Sequence, residues 1–244
     1  MRIALAIIPI ILLAGCVQSN EASTLKLDNI SIVWLGHASF MIEADGKTIY
    51  IDPYVLPASP KKADLILVTH DHFDHLGTEQ VKQIRGDGTV LYGTTAAVRK
   101  VAFGNPISDG ITFEAAGFTV TAVKAYNIDK FDSYEHLYHP NGTVVGYLIE
   151  IDGRTIYDAG DTDFIPEMNS LAPDIALLPI GGKYTMDVHD AVAAANAINP
   201  GIVVPMHYDS ANYGIRGIET NPAELIFGLA GTNITVRVLE PLVK

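Results

Sequence analysis

The sequence contains one cysteine, Cys16, which excludes an intramolecular disulfide. It also lacks internal repeats, low-complexity blocks and any long linker from residue 30 onward. Hydrophobic residues make up 48% of the 244 residues, together with 21 glycines and 13 prolines. This composition is typical of a compact, turn-rich globular protein and excludes a disordered chain. The length suits one large α/β domain or two small ones.

Basic residues are scarce as well. The chain has 16 Lys and Arg against 28 Asp and Glu, which gives a formal net charge of −12. The pairs Lys61-Lys62 and Arg99-Lys100 are isolated, so no basic cluster offers phosphate groups a local binding surface. An acidic surface repels the nucleic-acid backbone. We therefore expect no nucleic-acid partner.

An apolar run opens the chain. Arg2 supplies one positive charge, residues 3–14 are apolar or proline, and Leu13-Ala14-Gly15-Cys16 ends the run with small residues. The run is too short to span a bilayer and has the pattern of a secretory signal. Its last four residues also resemble a lipobox, where a lipoprotein signal peptide is cut and the cysteine is lipidated. An ordinary buried cysteine in a short membrane anchor is the alternative.

The domain prediction follows from that pattern. Residues 1–15 are expected to form a lipoprotein signal peptide, residues 16–27 a lipidated N-terminus and tether, and residues 28–244 the folded domain. The protein would then be exported and lipid-anchored to the cell-envelope membrane, where a lipid-like substrate is within reach. The sequence leaves open the oligomeric state and whether the envelope is bacterial or archaeal.

The remaining chain alternates apolar runs with turn signals. Early hairpins followed by strand–helix alternation, in two comparable halves, favour an α/β protein whose sheets are covered by helices. The predicted strands cover residues 30–34, 40–43, 48–51, 64–68, 89–92, 111–113, 118–123, 144–151, 155–157, 175–178, 202–204 and 234–238, and the predicted helices cover residues 78–84, 95–101, 187–198 and 222–229.

The densest group of potential metal ligands is Thr69-His70-Asp71-His72-Phe73-Asp74-His75-Leu76-Gly77, directly after the apolar run 65–68. Imidazole and carboxylate are the side chains that bind zinc and similar divalent ions. A loop at the end of a strand lets several of them converge. An accidental histidine-rich turn is the alternative. We refer to residues 69–77 as the histidine loop and predict a metal centre there.

Four further residues lie close to predicted strand ends and could complete this centre. They are His37, His139, Asp161 and His207. A lone histidine in such a place is usually structural or solvated, but several at strand exits beside the histidine loop favour a shared site. His189 lies on a predicted helix without a partner motif, so we expect it to be solvated.

Four segments together resemble the metallo-β-lactamase-fold hydrolases. They are Trp34-Leu35-Gly36-His37-Ala38-Ser39-Phe40, the histidine loop, Tyr157-Asp158-Ala159-Gly160-Asp161-Thr162-Asp163 and Pro205-Met206-His207, in the order found in that family. The resemblance spans about residues 30–242. It is closest to the branch that contains L-ascorbate-6-phosphate lactonase-like and uncharacterised metal-dependent hydrolases. The first segment also resembles N-acylphosphatidylethanolamine phospholipase D.

This resemblance implies a four-layer αββα sandwich with metals at the edge between the sheets. It implies that His70 and His72 bind a first metal, while Asp74 and His75 bind a second. Asp161 would bridge the two metals. His207 would complete the second site. The implied cofactor is one or two divalent ions, with zinc preferred and manganese or iron as alternatives.

The third histidine of the first site is missing from its expected place. The family carries it in a loop after a central strand, where this sequence has Asn127. His139, in the loop that follows, is our candidate replacement, and His136 is a second candidate. If neither reaches the site, it is weaker or completed by water, and a single metal becomes credible.

Other residues are expected to have supporting roles. Asp74 is expected to orient the attacking water and accept its proton, and His37 to hydrogen-bond the substrate or leaving group. Asp52 is expected to accept a hydrogen bond from a ligand imidazole, with a plain turn as the alternative. The resemblance also implies that the segment Tyr184-Thr185-Met186-Asp187 lines the pocket near Gly181-Gly182, with Met186 as a candidate either to support the ligands or to contact substrate.

These features predict a metal-dependent hydrolase. Divalent ions lower the pKa of water from about 15.7 toward 7 and polarise a scissile carbonyl or phosphoryl group. The expected substrate is a small ester, lactone or phosphodiester, because the superfamily hydrolyses β-lactams, thioesters, lactones and phosphodiesters on one scaffold. A non-catalytic metal- or solute-binding lipoprotein is the alternative. A nuclease of the same fold would need a basic groove, which this composition argues against.

Overall fold

Two seven-stranded sheets form the protein in the computed structural model, which describes residues 22–215 and 217–243. The first sheet contains β1 (Thr24–Leu27), β2 (Ile30–Gly36), β3 (Ser39–Ala44), β4 (Lys47–Ile51), β5 (Leu65–Val68), β6 (Val90–Gly93) and β7 (Asn105–Pro106). The second contains β8 (Thr112–Ala115), β9 (Phe118–Ala125), β10 (Val144–Ile151), β11 (Arg154–Asp158), β12 (Ile175–Pro179), β13 (Ile202–Met206) and β14 (Thr235–Val236). The α-helices are α1 (Thr78–Ile84), α2 (Thr95–Val101), α3 (Val188–Ile198) and α4 (Ala223–Gly228), and two short 3-10 helices cover Pro166–Ser170 and Ala211–Tyr213.

Each sheet keeps its strands in chain order. The first four strands of each sheet pair antiparallel, and the next three follow in parallel. Short turns join the antiparallel strands except β9 and β10, which are separated by the long segment 126–143. Parallel neighbours need a crossover, which in both halves is a helix or a long loop. The two halves of the chain therefore have the same arrangement, as the sequence pattern suggested.

Apolar side chains on β2 alternate between two cores. Ile32 and Trp34 contribute to the larger core, which contains buried residues of both sheets and of α3. Val33 and Leu35 contribute to a second core that contains buried residues of α1 and α2. A strand buried on both faces needs apolar residues on both, which β5 supplies at all its positions and β2 supplies from Ile32 to Leu35. The layers are thus helix, sheet, sheet, helix, and the predicted αββα sandwich is confirmed.

The site lies at one edge of the two sheets. The strands β2, β4 and β5 of the first sheet point the same way, since two antiparallel steps and one parallel step connect them. Their carboxyl ends therefore lie at one edge, as do those of β9, β11, β12 and β13 in the second sheet. The segments that follow these strands contain the predicted site residues.

The fold begins earlier than the sequence boundary at residue 28 placed it. Residues 24–27, predicted as part of the tether, form β1 and pair with β2 from Thr24 opposite Val33 to Leu27 opposite Ile30. The predicted signal peptide 1–15 and lipidation site Cys16 lie outside the described residues. Within those residues, no helix combines the length and apolar character required to cross a membrane.

Candidate metal centre

The histidine loop leaves β5 and turns back on itself. The amide of His75 donates to the carbonyl oxygen of His72 at 3.2 Å. The start of the loop is held by Asp52, which follows β4. Its carboxylate accepts hydrogen bonds from the amide of Thr69 at 2.8 Å and from the hydroxyl of the same residue at 2.6 Å. Asp52 thus fixes the loop to the neighbouring strand.

Asp161, which follows β11, lies at the centre of the cluster. Its carboxylate oxygens lie 3.3 Å from Nε2 of each of His75, His139 and His207, and 4.0 Å from Nε2 of His70. These side chains come from both sheets. The structure therefore brings together residues that are up to 137 positions apart around one buried carboxylate.

Three histidines form a group on one side of Asp161. The ligand atoms of His70, His72 and His139 lie within 4.8 Å of one another, and Nε2 of His139 is 3.2 Å from Nδ1 of His72. The structure places His139 where the third histidine of the first site was expected. Asn127 holds His139 in this place, since its side-chain oxygen accepts a hydrogen bond from the His139 amide at 2.9 Å.

A second group lies on the other side. The ligand atoms of Asp74, His75 and His207 also lie within 4.8 Å of one another, together with a nitrogen of His37. Nδ1 of His75 donates to Asp52 Oδ2 at 2.6 Å, which leaves Nε2 of the ring facing the cluster. A carboxylate behind an imidazole fixes its orientation and increases its basicity as a ligand.

The hydrogen bonds of His139 determine which nitrogen carries its proton. Nδ1 faces two acceptors, the side-chain oxygen of Asn127 at 3.0 Å and the carbonyl oxygen of Tyr184 at 3.2 Å. Nδ1 must therefore be protonated. Burial lowers the pKa of His139 to about 4, so the ring is neutral and Nε2 carries a lone pair. That lone pair points at the cluster.

His70 is fixed in the same way. The Thr69 hydroxyl donates its only proton to Asp52, so it accepts a hydrogen bond from Nδ1 of His70 at 2.9 Å. Burial, followed by the charge of His75, holds the pKa of His70 well below its usual range. The ring is neutral, and its Nε2 lone pair also faces Asp161. Neutral imidazole is the form that binds metals.

Several buried polar atoms of this cluster have no hydrogen-bond partner among the described residues. They are Nε2 of His70, Nε2 of His75, both ring nitrogens of His207 and Oδ1 of Asp161. An unpaired buried polar atom costs about 1–3 kcal/mol. Ring nitrogens and carboxylate oxygens that converge in this way are satisfied by a cation bound between them. The residues present therefore fit divalent metal ions.

The charges of the cluster support the same conclusion. Burial alone would lower the pKa of His75, but the carboxylates of Asp161 and Asp52 outweigh it and hold the pKa well above its ordinary value. Burial alone would raise the pKa of Asp161, but His207 and His75 outweigh it and hold the pKa well below its usual range. The site thus favours positive charge next to an ionised carboxylate, as a metal site does.

His37 is fully buried behind Asp74 rather than open to the cavity. Its Nε2 donates to Asp74 Oδ2 at 3.1 Å, and its Nδ1 lies 3.0 Å from the Ser210 hydroxyl, which donates to it. Burial and the charge of His207 lower the pKa of His37 to about 3, so the ring is neutral. The contacts point to a role in orienting Asp74, and the expected hydrogen bond to substrate is not where the structure places this ring.

Three residues of the site have left-handed backbone conformations. The φ angles are 52° at His37, 44° at Asp52 and 58° at His207. Residues other than glycine adopt this region rarely, and such strain is concentrated at functional sites. Gly181 is required for a different reason, since a β-carbon there would lie 2.4 Å from the carbonyl oxygen of His207. The backbone therefore bends sharply where β2, β4 and β13 end at the site.

An open cavity of about 520 Å³ gives access to the cluster. This volume is in the range of small-molecule sites. Its lining combines side chains of the cluster with aromatic, apolar and basic residues: His72, Phe73, Asp74, Tyr138, His139, Asp161, Lys183, Tyr184, Gly214 and Ile215. The cavity therefore combines polar groups of the cluster with apolar and aromatic side chains.

Two candidates from the sequence lie outside both the cluster and this cavity. His136 is exposed, with 78% of its side chain accessible, and pairs with Asp132 instead of the cluster. Met186 is fully buried in the larger core, and its amide donates to the carbonyl oxygen of Thr162. Met186 therefore does not line the cavity, because its apolar side chain packs inward. His189 is exposed, as expected.

Sequence and structure comparisons now identify the family. The sequence model of the "Beta-lactamase superfamily domain" matches residues 31–207. A UPF0173 metal-dependent hydrolase of Methanopyrus kandleri is 34% identical over 229 residues, which cover 86% of this chain and 96% of that protein. A second, from Thermoplasma acidophilum, is 33% identical and covers 88% of this chain and 98% of its own length. The chain belongs to the UPF0173 metal-dependent hydrolases of the β-lactamase superfamily.

A solved structure supports the assignment. Igni18, described as a novel metallo hydrolase from Ignicoccus hospitalis, superposes with a TM-score of 0.71 at 29% identity, covering 87% of this chain and 95% of its own. The predicted superfamily, its branch of uncharacterised metal-dependent hydrolases and the hydrolase class are confirmed. The His/Asp cluster is able to bind metal, while the identity of the metal stays a prediction.

Sequence reasoning missed residues that hold the ligands from behind. Thr69 and Ser210 hydrogen-bond to His70 and His37, and Asp163 accepts from the amide of Ile128 at 2.6 Å. Thr69 directly precedes His70 at the end of β5, so its place in the chain was a usable signal. Ser210 lies 173 positions from its partner and gave no such signal.

Proposed function

We propose that this hydrolase acts on a small ester, lactone or phosphodiester and holds two divalent metal ions at the cluster around Asp161. His70, His72 and His139 would hold the first ion, and Asp74, His75 and His207 the second, with Asp161 shared. The observation that supports this best is the convergence of unpartnered, buried nitrogen and oxygen atoms on one carboxylate. Zinc is our first candidate, with manganese or iron as alternatives.

Metal ions at these groups supply a water that ionises near neutral pH and polarise the scissile carbonyl or phosphoryl oxygen. The protein supplies the positioning. Asp52 orients His75, Asn127 orients His139, and His37 orients Asp74. Asp74 lines the cavity, and its carboxylate is ionised because the hydrogen bond from His37 and the charge of His75 outweigh burial and lower its pKa. Asp74 is therefore placed to accept a proton from the attacking water.

Replacing Asp74 tests this proposal. Asp74→Ala should lower kcat on phosphodiester and lactone probes by about a hundredfold or more, the range for loss of a general base. Asp71→Ala is the matched control, since Asp71 lies in the same loop but in none of the ligand groups. Metal content is measured on both variants. Full metal content with undiminished hydrolysis in Asp74→Ala would contradict the proposed mechanism.

We also propose that the enzyme is exported and attached to the cell-envelope membrane through a lipidated Cys16. The proposal is supported by the short apolar run that ends in Leu13-Ala14-Gly15-Cys16. Cys16→Ser should move the protein from the membrane fraction to the soluble or precursor fraction, and mass spectrometry should find acyl chains on Cys16 only in the unaltered protein. A wild-type protein without acyl chains would contradict it.

A further inference from the structure

The cavity has an aromatic wall that carries an ammonium group. The rings of Tyr138 and Tyr184 pack edge to face with centroids 4.7 Å apart. The Nζ of Lys183 lies 4.8 Å from the centroid of the Tyr184 ring. All three residues line the cavity together with His72 and His139 of the cluster. The hydrolytic site thus faces two aromatic rings and a cation.

Lys183 differs from the lysines of this acidic chain that pair with carboxylates. Lys47, Lys124 and Lys130 each form a salt bridge with a carboxylate. Among the described residues no carboxylate pairs with Lys183, and its contacts are with tyrosines. Hydrogen bonding with Tyr184 raises the pKa of Lys183, which keeps the ammonium charged. An unpaired cation beside a cavity is available for an anion of a ligand.

The segment that contains Lys183 is tied to the metal cluster. The carbonyl oxygen of Tyr184 accepts from the side-chain nitrogen of Asn127 at 2.9 Å and faces Nδ1 of His139 at 3.2 Å. The amide of Gly182 donates to the carbonyl oxygen of Met186 at 3.0 Å, which closes the segment into a turn. The same residues that orient His139 therefore fix the backbone next to Lys183.

Building on the proposed function, we propose that Lys183 and the Tyr138–Tyr184 pair form a subsite for an anionic substituent of the substrate. The substrate would be a small ester, lactone or phosphodiester whose apolar or aromatic body carries a carboxylate or phosphate apart from the bond that is cleaved. The ring faces bind the body. The ammonium binds the anion through a charge-assisted hydrogen bond. This subsite determines specificity and takes no part in bond cleavage.

The test compares matched ester probes on the metal-loaded enzyme. The probes are p-nitrophenyl butyrate, mono-p-nitrophenyl glutarate and a p-nitrophenyl ester whose acyl chain ends in a phosphate. Lys183→Ala should lower kcat/KM for the two anionic probes about five- to tenfold, mainly through KM, and leave the neutral probe within twofold. Lys183→Glu should lower it further, and Lys183→Arg should retain most of it. A larger effect on one anionic probe would identify carboxylate or phosphate as the preferred group.

Lys47→Ala is the control variant. It removes the same charge from an exposed side chain at the first residue of β4, the end of the strand that faces away from the site. It should leave the ratio between anionic and neutral probes unchanged. An equal loss on all three probes in Lys183→Ala, or no loss on any, would overturn the subsite.

A binding measurement separates this inference from the proposed function. Calorimetry compares 3-phenylpropanoate with 3-phenylpropanamide on the wild type and on Lys183→Ala. The carboxylate should bind more tightly than the amide to the wild type, and Lys183→Ala should reduce that preference about five- to tenfold. A preference that Lys183→Ala leaves unchanged would overturn the subsite, even if none of the esters is cleaved. A wild type that binds as expected but cleaves no ester, lactone or phosphodiester would contradict only the proposed function.

Discussion

The two halves of the molecule have the same strand order but different loops at the shared edge. The loop after β5, the fifth strand of the first sheet, contains His70, His72, Asp74 and His75. The equivalent segment after β12, residues 180–186, contains no metal-ligand group and instead lines the cavity with Lys183 and Tyr184. One half thus supplies most of the candidate ligands, and the other supplies most of the contacts that we assign to substrate.

The carboxylates after the fourth strand of each sheet differ in a similar way. Asp52 follows β4 and accepts hydrogen bonds from Thr69 and His75, so it acts behind the ligands. Asp161 follows β11 and lies among the ligand nitrogens themselves. Equivalent places in the fold therefore do not fix equivalent chemistry. The chemistry at each place is determined by the side chains that converge on it.

The largest expected effect is at Asp161. Asp161→Asn removes the charge that both metal groups share, so we expect loss of metal from both and a fall in activity on the order of a thousandfold. Metal content and kcat/KM on the probe that the wild type cleaves best measure the effect.

Asp158→Asn is the control for that substitution. Asp158 is buried at the end of the same strand, but burial and the charge of Asp52 raise its pKa well above the ordinary value, which favours its uncharged form. Asparagine should therefore change metal content and activity far less than it does at Asp161. Equal losses in the two variants would mean that the shared charge is not what matters.

Asn127 gives the next largest expected effect. It follows β9, the second strand of its sheet, as His37 follows β2, the second strand of the other. Asn127→Ala removes the oxygen that holds Nδ1 and the amide of His139. Loss of a residue that orients a metal ligand typically costs 10- to 100-fold in metal affinity, so we expect a loss in that range for one of two metals. Titration of the metal-free protein with zinc measures it.

A double-mutant cycle with His139→Ala assigns the effect. If Asn127 acts through His139, the double variant should bind metal no more weakly than His139→Ala alone. Additive losses would show that Asn127 acts independently. Asn196→Ala, at an exposed position of α3, should leave both metals bound with wild-type affinity.

Local patterns predicted most of the fold. Helices α1 and α2 have the predicted bounds, and Asp187 begins α3 as the N-cap of a capping box, one residue before the first helical position. Strand β1 escaped prediction because residues 16–27 were assigned to the tether, although Thr24-Leu25-Lys26-Leu27 alternates polar and apolar residues over only the minimum length of a strand signal. Its pairing with β2 is a tertiary interaction, which overrides propensity.

In the site too, features that are local in sequence could be predicted, whereas contacts between distant residues could not. The histidine loop is local in sequence, so its ligand types and spacing predict a metal centre directly. The link between Asn127 and His139 depends on a loop that closes over 12 positions, and the contact of His37 with Ser210 spans 173. Lys183 has no motif at all. Contacts of this kind exist only once the two sheets pack together.

The smallest expected effect concerns His37, which follows β2 in the first half as Asn127 follows β9 in the second. Burial lowers the pKa of His37 to about 3, whereas an unfolded histidine has a pKa of about 6.5. Below pH 6.5 the unfolded chain therefore takes up a proton that the native ring resists. The free energy of unfolding is therefore unaffected by this ring above pH 6.5. As the pH falls from 6.5 toward 3, it decreases by up to about 1.4 kcal/mol per pH unit.

Urea unfolding of the metal-free protein between pH 7 and 4 measures this slope. His37→Gln keeps an amide that can donate to Asp74 but takes up no proton, so its unfolding free energy should fall less steeply with decreasing pH. His189→Gln, on the exposed surface of α3, should keep the wild-type slope. His139, whose pKa is lowered to about 4, contributes the same way in the second half, so His37→Gln should retain part of the slope. A slope identical to the wild type in His37→Gln would mean that His37 is protonated in the native protein, and its hydrogen bonds to Ser210 and Asp74 would then need reassignment.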